Sequence, residues 1–177
     1  AFKSPQKKHY PTIKPEELPV FMRTIREANI KYVTRCLIEW QLNTMVRPSE
    51  AAGTQWSEID FNEKIWVIPA DRMKRKCIHK VPLSDQAMTI LENMHKISGS
   101  KVHVFHSVRA KANHLNNSTA NKAIKDMGYQ GRLVAHGLRS LASTTLNEQR
   151  FDSDIIESAL SHGGSDEIRA TYNRAEY

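Results

Sequence analysis

The sequence predicts an α+β fold that is mainly helical, with one small antiparallel β-hairpin inserted among the helices. Apolar residues recur at helical spacing through most of the 177 residues. Two short apolar segments, "KIWVIPA" and "KCIHKVPLS", flank the basic turn "DRMKR" and predict the hairpin. The composition, 40% hydrophobic and 25% charged, is typical of one soluble globular domain with its own core.

The helices follow from the apolar spacing in chain order. "TIKPEELPVFMRTIREAN" has the proline and glutamates of a first helical turn, followed by apolar residues at helical spacing. Residues 32–45 form a strongly apolar segment that predicts a buried helix, and Pro48 begins a short helix after Arg47. The helices predicted after the hairpin span 84–97, 116–127, 137–149, 152–160 and 165–173, with a short extended segment, "VHVFHS", between the first two.

The charge of the chain favours a polyanionic partner. Lys and Arg number 26 against 19 Asp and Glu, which gives a net charge of +7 and a pI near 9.5. The excess is divided among "KSPQKKH", "DRMKRKCIHK" and "SVRAKANH", so these clusters must converge on one face to form a binding surface. A basic soluble protein without such a partner remains an alternative on charge alone.

Other residues indicate no metal or cofactor. Cys36 and Cys77 are the two cysteines, and neither has a second cysteine at metal-ligand spacing, which indicates a reducing compartment. His103 and His106 are predicted to point to opposite faces of a strand, so they do not form a metal site. The tryptophans lie among apolar neighbours and are predicted to belong to the core: Trp40, Trp56 and Trp66. With no membrane span and no secretory signal, we expect a cytoplasmic, nucleoid-associated protein.

Several polar residues occupy positions where a helix or hairpin would not need them. Arg47 follows an apolar helix and has Glu50 one turn later, while Lys74 lies in the hairpin turn. His136 and Arg139 begin another helix. Two more stand near the C-terminus, His162 and Tyr172. Each of these residues taken singly also has a structural explanation, such as an ion pair, a solvated lysine or a helix cap.

In their order, these residues resemble the catalytic domain of the tyrosine recombinase or phage integrase family. "RPSEAAGTQWSEID" resembles the first family motif, "RMKRKCIHKVPLS" the lysine hairpin and "AHGLRSLAST" the second motif. "ALSHGGSDEIRATYNRAEY" resembles the third motif, and its ending is similar to integrases of prophages and pathogenicity islands. The resemblance covers nearly the whole chain and implies an integrase-type catalytic fold.

The resemblance also implies a role for each residue in metal-free DNA cleavage. Arg47 and Arg139 would stabilise the negative charge on the reacting phosphate, because guanidinium groups stay charged and bind such oxygens in pairs. Tyr172 would be the nucleophile and His136 its base or hydrogen-bonding partner. Lys74 would protonate the leaving 5′-oxygen. The supporting roles would fall to His162, as a donor to the phosphate, and to Glu50, which would orient the arginine.

Two of these assignments have rivals in the sequence. The interval from His162 to Tyr172 is one residue longer than is common in the family, which makes Tyr177 a second candidate nucleophile. Lys76 and Lys80 compete with Lys74, because all three lie in or beside the hairpin. The family's third motif commonly has glycine where this chain has a serine before the histidine.

The implied activity is site-specific recombination that integrates or excises a mobile element through a 3′-phosphotyrosyl intermediate. A type IB topoisomerase or a catalytically idle DNA-binding protein would be the alternatives. The expected partners are double-stranded DNA attachment sites, a tetramer of protomers on DNA and accessory DNA-bending proteins, while the isolated domain could be monomeric. Residues 1–12 are expected to be a linker from an N-terminal DNA-binding region, and residues 13–177 the catalytic domain with a shortened C-terminal tail.

Two structural expectations follow from these roles. Arg47, His136, Arg139 and His162 must surround one basic cleft, because a single phosphate has to touch all of them. The turn that carries Lys74 is expected to lack an apolar anchor and to move freely without DNA.

Overall fold

The computed structural model describes residues 9–161. Its helices are α1 (Leu18–Glu27), α2 (Tyr32–Thr44), α3 (Pro48–Ala52), α4 (Asp85–Ser98), α5 (Thr119–Ile124), α6 (Gly137–Glu148) and α7 (Ser153–Ala159). Its strands are β1 (Ile59–Asp60), β2 (Ile65–Ile68) and β3 (His79–Pro82), which form one antiparallel sheet in the order β1-β2-β3. Within the described range no helix is long and apolar enough to cross a membrane.

The predicted fold class is confirmed, with three local differences. β1 was not predicted, because only two of its residues pair with β2 and so short a segment has no readable alternation. The predicted extended segment at 102–107 forms only isolated bridges, through His103 and His106. α5 gives way to one wider helical turn that ends after Gly128, whose φ of 93° suits glycine. The helix predicted at 165–173 lies outside the described residues.

The core forms around α2, which packs against α3, α4, α5 and α6. Trp40 of α2 and Trp66 of β2 are fully buried, with ring centroids 5.2 Å apart. The Trp40 indole donates to the Thr54 hydroxyl at 3.1 Å, and the Trp66 indole donates to the Glu58 carboxylate at 2.9 Å. Trp56 is half-buried against the same core. The prediction that the tryptophans are core residues is therefore confirmed.

A smaller apolar cluster joins the end of α2 to α7. Met45, Ile156 and Leu160 are its buried members, and residues of α6 pack against them. Met45 ends α2 in the left-handed region, with a φ of 56°, and so turns the chain toward α3. This cluster keeps the ends of α2 and α7 beside α6.

Candidate active site

Arg47 is oriented by the first turn of α3. One oxygen of the Glu50 carboxylate accepts from the Arg47 backbone N–H, and the other accepts from its guanidinium, both at 2.9 Å. Glu50 is buried, and the Arg47 side chain is only 16% exposed. Pro48 favours this geometry because its fixed φ suits the first helical position. The carboxylate thus holds both the backbone and the side chain of Arg47.

His136 lies at the start of α6, after a loop whose backbone is hydrogen-bonded by two side chains. The amide of Gln41 donates to the Ala135 carbonyl at 2.6 Å, and the side-chain oxygen of Asn121 accepts from the Ala135 N–H at 3.0 Å. Both backbone groups of the residue before His136 are therefore fixed by α2 and α5. The path of the chain into α6, and with it the position of His136, is well defined.

Arg139 lies one turn further along α6 and is 4% exposed. Its guanidinium donates to the Met45 carbonyl at the end of α2 and, at 2.6 Å, to the Leu160 carbonyl at the end of α7. Arg139 joins three helices at the point where Arg47 and Glu50 also lie.

Lys74 is an exposed residue in the turn between β2 and β3. Met73 before it is 1% exposed and belongs to the core, and Arg72 pairs with Glu58 and donates to the Glu50 carbonyl at 2.8 Å. The expectation that this turn lacks an apolar anchor was therefore wrong. The turn is fixed at its base, while the three basic residues at its tip are exposed: Lys74, Arg75 and Lys76.

The charges of these segments act on one another. Burial lowers the pKa of the His136 imidazole, and the positive charges of Arg139, Arg47 and Lys74 lower it further, while Glu50 opposes them. Burial, followed by the charge of Arg47, lowers the pKa of Arg139 to about 10. The structure thus brings together three sequence segments that carry Arg47 with Glu50, Lys74, and His136 with Arg139. Such a concentration of positive charge favours an anion.

His79 and Tyr10 also belong to this region, although the sequence gave no reason to choose them. Burial lowers the pKa of His79, and the positive charges of Arg139 and Arg47 lower it further. Glu50 and a hydrogen bond with the Ala159 backbone oppose this shift. The Nε2 atom of His79 is buried and has no hydrogen-bond partner within the described range. The Tyr10 ring lies against that of His136, with centroids 4.1 Å apart.

The remaining candidates lie elsewhere or outside the described residues. His162, Tyr172 and the rival Tyr177 fall in the undescribed range 162–177. The rival Lys76 donates to the Asp71 carbonyl at 3.1 Å, and Lys80 is an exposed residue of β3. A concave region of the described surface is lined by residues around β1 and contains none of the clustered residues.

We expect the free energy of unfolding to decrease as the pH falls below about 6.5, the ordinary histidine pKa. His136 and His79 have lowered pKa values in the folded chain, so the unfolded chain takes up these protons first. The stability that these two histidines contribute is fully present above their pKa in the unfolded chain. It is lost as the pH falls through their lower pKa values in the folded chain. Urea unfolding between about pH 8 and pH 5 measures this dependence. His136→Gln and His79→Gln should each reduce it, and an unchanged dependence in both variants would contradict the prediction.

Solved structures of recombinases share this fold. The chain matches the crystal structure of XerA recombinase with a TM-score of 0.70 at 17% identity, covering 99% of this chain and 66% of that one. It matches a lambda integrase dimer bound to a COC′ core site with a TM-score of 0.69 at 18% identity, covering 95% of this chain and 60% of that one. The described residues therefore share the fold of these recombinases.

The sequence defines the family. Residues 11–177 match the model of the phage integrase family. The chain is 52% identical to the prophage integrase IntA of Escherichia coli (strain K12), over 100% of this chain and 43% of the relative. It is 33% identical to the integrase of Enterobacteria phage P4, over 97% of this chain and 43% of that relative. The chain belongs to the phage integrase family and spans less than half the length of these relatives.

Proposed function

We propose that this chain is the catalytic part of a site-specific DNA recombinase that integrates or excises a mobile element. The observation that carries the proposal is the convergence of Arg47, Arg139, His136 and Lys74 from three separated segments. Two guanidinium groups whose charges act on each other repel, and an anion bound between them removes that repulsion. A DNA phosphate is the anion that the basic composition favours.

The reaction exchanges one phosphodiester bond for another. The Tyr172 oxygen attacks the scissile phosphorus and loses its proton, the DNA becomes joined to the protein as a 3′-phosphotyrosine, and the released 5′-oxygen takes up a proton. The 5′-hydroxyl of a second strand then attacks the same phosphorus and releases the tyrosine. Because the bond energy is kept in the phosphotyrosine, no nucleotide cofactor or metal is required for rejoining.

The described geometry supports a role for each cluster residue. Arg47 and Arg139 would hold the nonbridging oxygens as charge develops on them. The lowered pKa of His136 keeps its imidazole neutral near pH 7, and a neutral imidazole can accept the phenolic proton of Tyr172. Lys74, on its anchored turn, would donate the proton to the 5′-oxygen, and His162 would add a hydrogen bond to the phosphate.

Recognition of the DNA site is expected to depend on protein outside this chain. The chain covers 43% of the IntA and phage P4 relatives, so we assign residues 1–12 to a linker from an N-terminal DNA-binding region and residues 13–177 to the catalytic domain. The partners we propose are double-stranded attachment sites, a tetramer of protomers on DNA and accessory DNA-bending proteins. The lambda integrase dimer on its core site and the Tn1549 integrase with circular intermediate DNA support DNA as the partner. We place this activity in the bacterial cytoplasm at the nucleoid.

A suicide-substrate experiment tests the proposal. The chain, extended by its natural upstream region, is incubated with a library of nicked duplexes whose central sequence is randomised, so that cleavage beside the nick releases a short fragment and traps the protein. We expect a covalent adduct that survives denaturation, with a preferred sequence among the trapped duplexes. Absence of any adduct, combined with retained binding, would identify an idle DNA-binding protein and overturn the proposal.

A second measurement separates a recombinase from a topoisomerase. Two labelled duplexes that carry the selected sequence should exchange strands when the chain, extended by its natural upstream region, is added. Relaxation of supercoiled plasmid without strand exchange between the two duplexes would indicate a type IB topoisomerase and contradict the recombinase assignment.

DNA affinity is expected to fall steeply with salt, with a log-log slope of about −0.9 for each phosphate contacted. The exposed tip of the β2–β3 turn supplies charges suited to such contacts, so Arg75→Ala should reduce the slope by about one contact. Lys64→Ala is the matched control, because Lys64 pairs with Asp85 at 3.0 Å and adds little net charge to the surface. Fluorescence anisotropy at several salt concentrations measures both slopes, and equal slopes for the two variants would exclude the turn from the DNA contact.

A further inference from the structure

The segment Tyr10–Thr12, which precedes the first helical turn, is attached to the start of α6. The Pro11 carbonyl accepts from the Val134 N–H at 3.2 Å, and the Thr12 hydroxyl donates to the Gly137 carbonyl at 2.9 Å. These contacts bind the segment to the residues on both sides of His136.

Gly137 permits this close approach. A Cβ atom at position 137 would lie 2.1 Å from the Pro11 carbonyl oxygen, a distance that backbone cannot tolerate. Gly137 is the first residue of α6, and its φ is not positive. The glycine beside His136 is therefore explained by the Tyr10–Thr12 segment and not by a special backbone angle.

Tyr10 completes the attachment. Its ring lies against the His136 ring with centroids 4.1 Å apart and an angle of 32° between the planes, while the tyrosine remains 55% exposed. A core tyrosine would be covered on both faces, whereas Tyr10 covers one face of the histidine and presents the rest of its surface to solvent. Charged groups approach the same imidazole from α6, α3 and the β2–β3 turn: Arg139, Arg47, Glu50 and Lys74.

We propose that Tyr10 is a positioning residue for the recombination reaction, which holds the His136 ring in the orientation that it needs toward the nucleophile and the phosphate. The inference rests on the proposed function and deepens it, because it makes Tyr10–Thr12, the last residues of the proposed linker, part of the active site. A rotating imidazole would present its accepting nitrogen only part of the time, and an aromatic neighbour at stacking distance restricts that rotation.

The first test needs no DNA. In NMR spectra of the free chain, the ring protons of His136 should be shifted by the ring current of Tyr10 in the wild type and in Tyr10→Phe, and the shift should be absent in Tyr10→Ala. Gly137→Ala, which displaces the Pro11 carbonyl, should reproduce the loss without touching either ring. A His136 spectrum that is identical in wild type and Tyr10→Ala would overturn the proposal.

The second test uses the selected nicked duplex at saturating concentration. Tyr10→Ala should slow covalent capture by about two- to tenfold with unchanged DNA affinity, and Tyr10→Phe should restore the wild-type rate. Tyr32→Ala is the matched control, because Tyr32 is 44% exposed and lies on α2. Equal rates for Tyr10→Ala and wild type would reject the positioning role.

The two tests fail independently of the proposed function. If the wild type forms no adduct, the proposed function fails, while the NMR comparison still decides whether Tyr10 orients His136. If the wild type forms the adduct but removal of Tyr10 changes neither spectrum nor rate, only the inference about Tyr10 fails.

Discussion

Replacing Arg139 with alanine is expected to slow covalent DNA cleavage by about 100- to 1,000-fold while DNA affinity stays within a few-fold of the wild type. The reason is that the guanidinium would act on charge that grows during the reaction, whereas DNA binding depends on many phosphate contacts. The nicked-duplex assay gives the rate, and anisotropy gives the affinity. Equal losses in both would indicate a plain binding residue.

The structure adds a second consequence for the same variant. Arg139 is buried and donates to the Met45 and Leu160 carbonyls, so alanine leaves two buried acceptors without this donor. We expect the free energy of unfolding to decrease by about 2–4 kcal/mol, which corresponds to a lower Tm by roughly 5–15 °C. The cleavage measurement must therefore be made well below the Tm of the variant.

Arg35 supplies the control for this loss of stability. Its guanidinium also donates to two backbone carbonyls, those of Ile25 and Ala28, at 3.0 and 3.1 Å. Arg35→Ala should lower stability in a similar way and leave cleavage at the wild-type rate. If Arg35→Ala and Arg139→Ala lost cleavage in proportion to their loss of stability, the catalytic role of Arg139 would be refuted.

Most of the helices could be predicted from the sequence because their apolar spacing is regular. The observed bounds of α2, Tyr32–Thr44, differ from the predicted ones by one residue at one end. Those of α4, Asp85–Ser98, differ by one residue at each end. β1 could not be predicted, because it exists only through pairing with β2. The segment 102–107 does not form a regular strand, because the consecutive residues Val104 and Phe105 are both buried in the core and the segment pairs only through isolated bridges.

The sequence could indicate the parts of the candidate site that lie within one motif. It could not indicate the contacts that packing creates between distant segments. Arg47 with Glu50 and His136 with Arg139 are close in sequence, so helical spacing indicates that each pair shares a region. The approach of these pairs to each other depends on long-range contacts such as Arg139 with Met45, which no local pattern reveals. The contact between the Tyr10 and His136 rings joins residues more than a hundred positions apart and could not be predicted for the same reason.

Met73 illustrates how a local pattern can mislead. The turn "DRMKR" reads as solvated because four of its five residues are charged. In the structure Met73 enters the core, and Arg72 is bound by Glu58 and the Glu50 carbonyl. Lys74 therefore extends from a base that is joined to the helix carrying Arg47, which limits how far the lysine can move from the arginines.

The largest effect is expected for Tyr172→Phe, which should abolish covalent capture of DNA. The substitution removes one oxygen and keeps the ring, so no phosphotyrosine can form at this position. DNA affinity should stay near the wild type, because the hydroxyl contributes at most one hydrogen bond to a complex held by many charges. Denaturing electrophoresis of the nicked-duplex reaction measures the adduct, and anisotropy measures the affinity.

Tyr177→Phe provides the matched control for this prediction, since it makes the same chemical change five residues away. It should form the adduct at the wild-type rate if Tyr172 is the nucleophile. Proteolysis of the wild-type adduct, followed by mass spectrometry, should place the nucleotide on a peptide at Tyr172. A nucleotide on Tyr177, or an adduct that persists in Tyr172→Phe, would transfer the role to the rival tyrosine. The phosphate site that we propose for Arg47 and Arg139 would be unaffected in that case, because either tyrosine would attack a phosphorus held by the same two guanidinium groups.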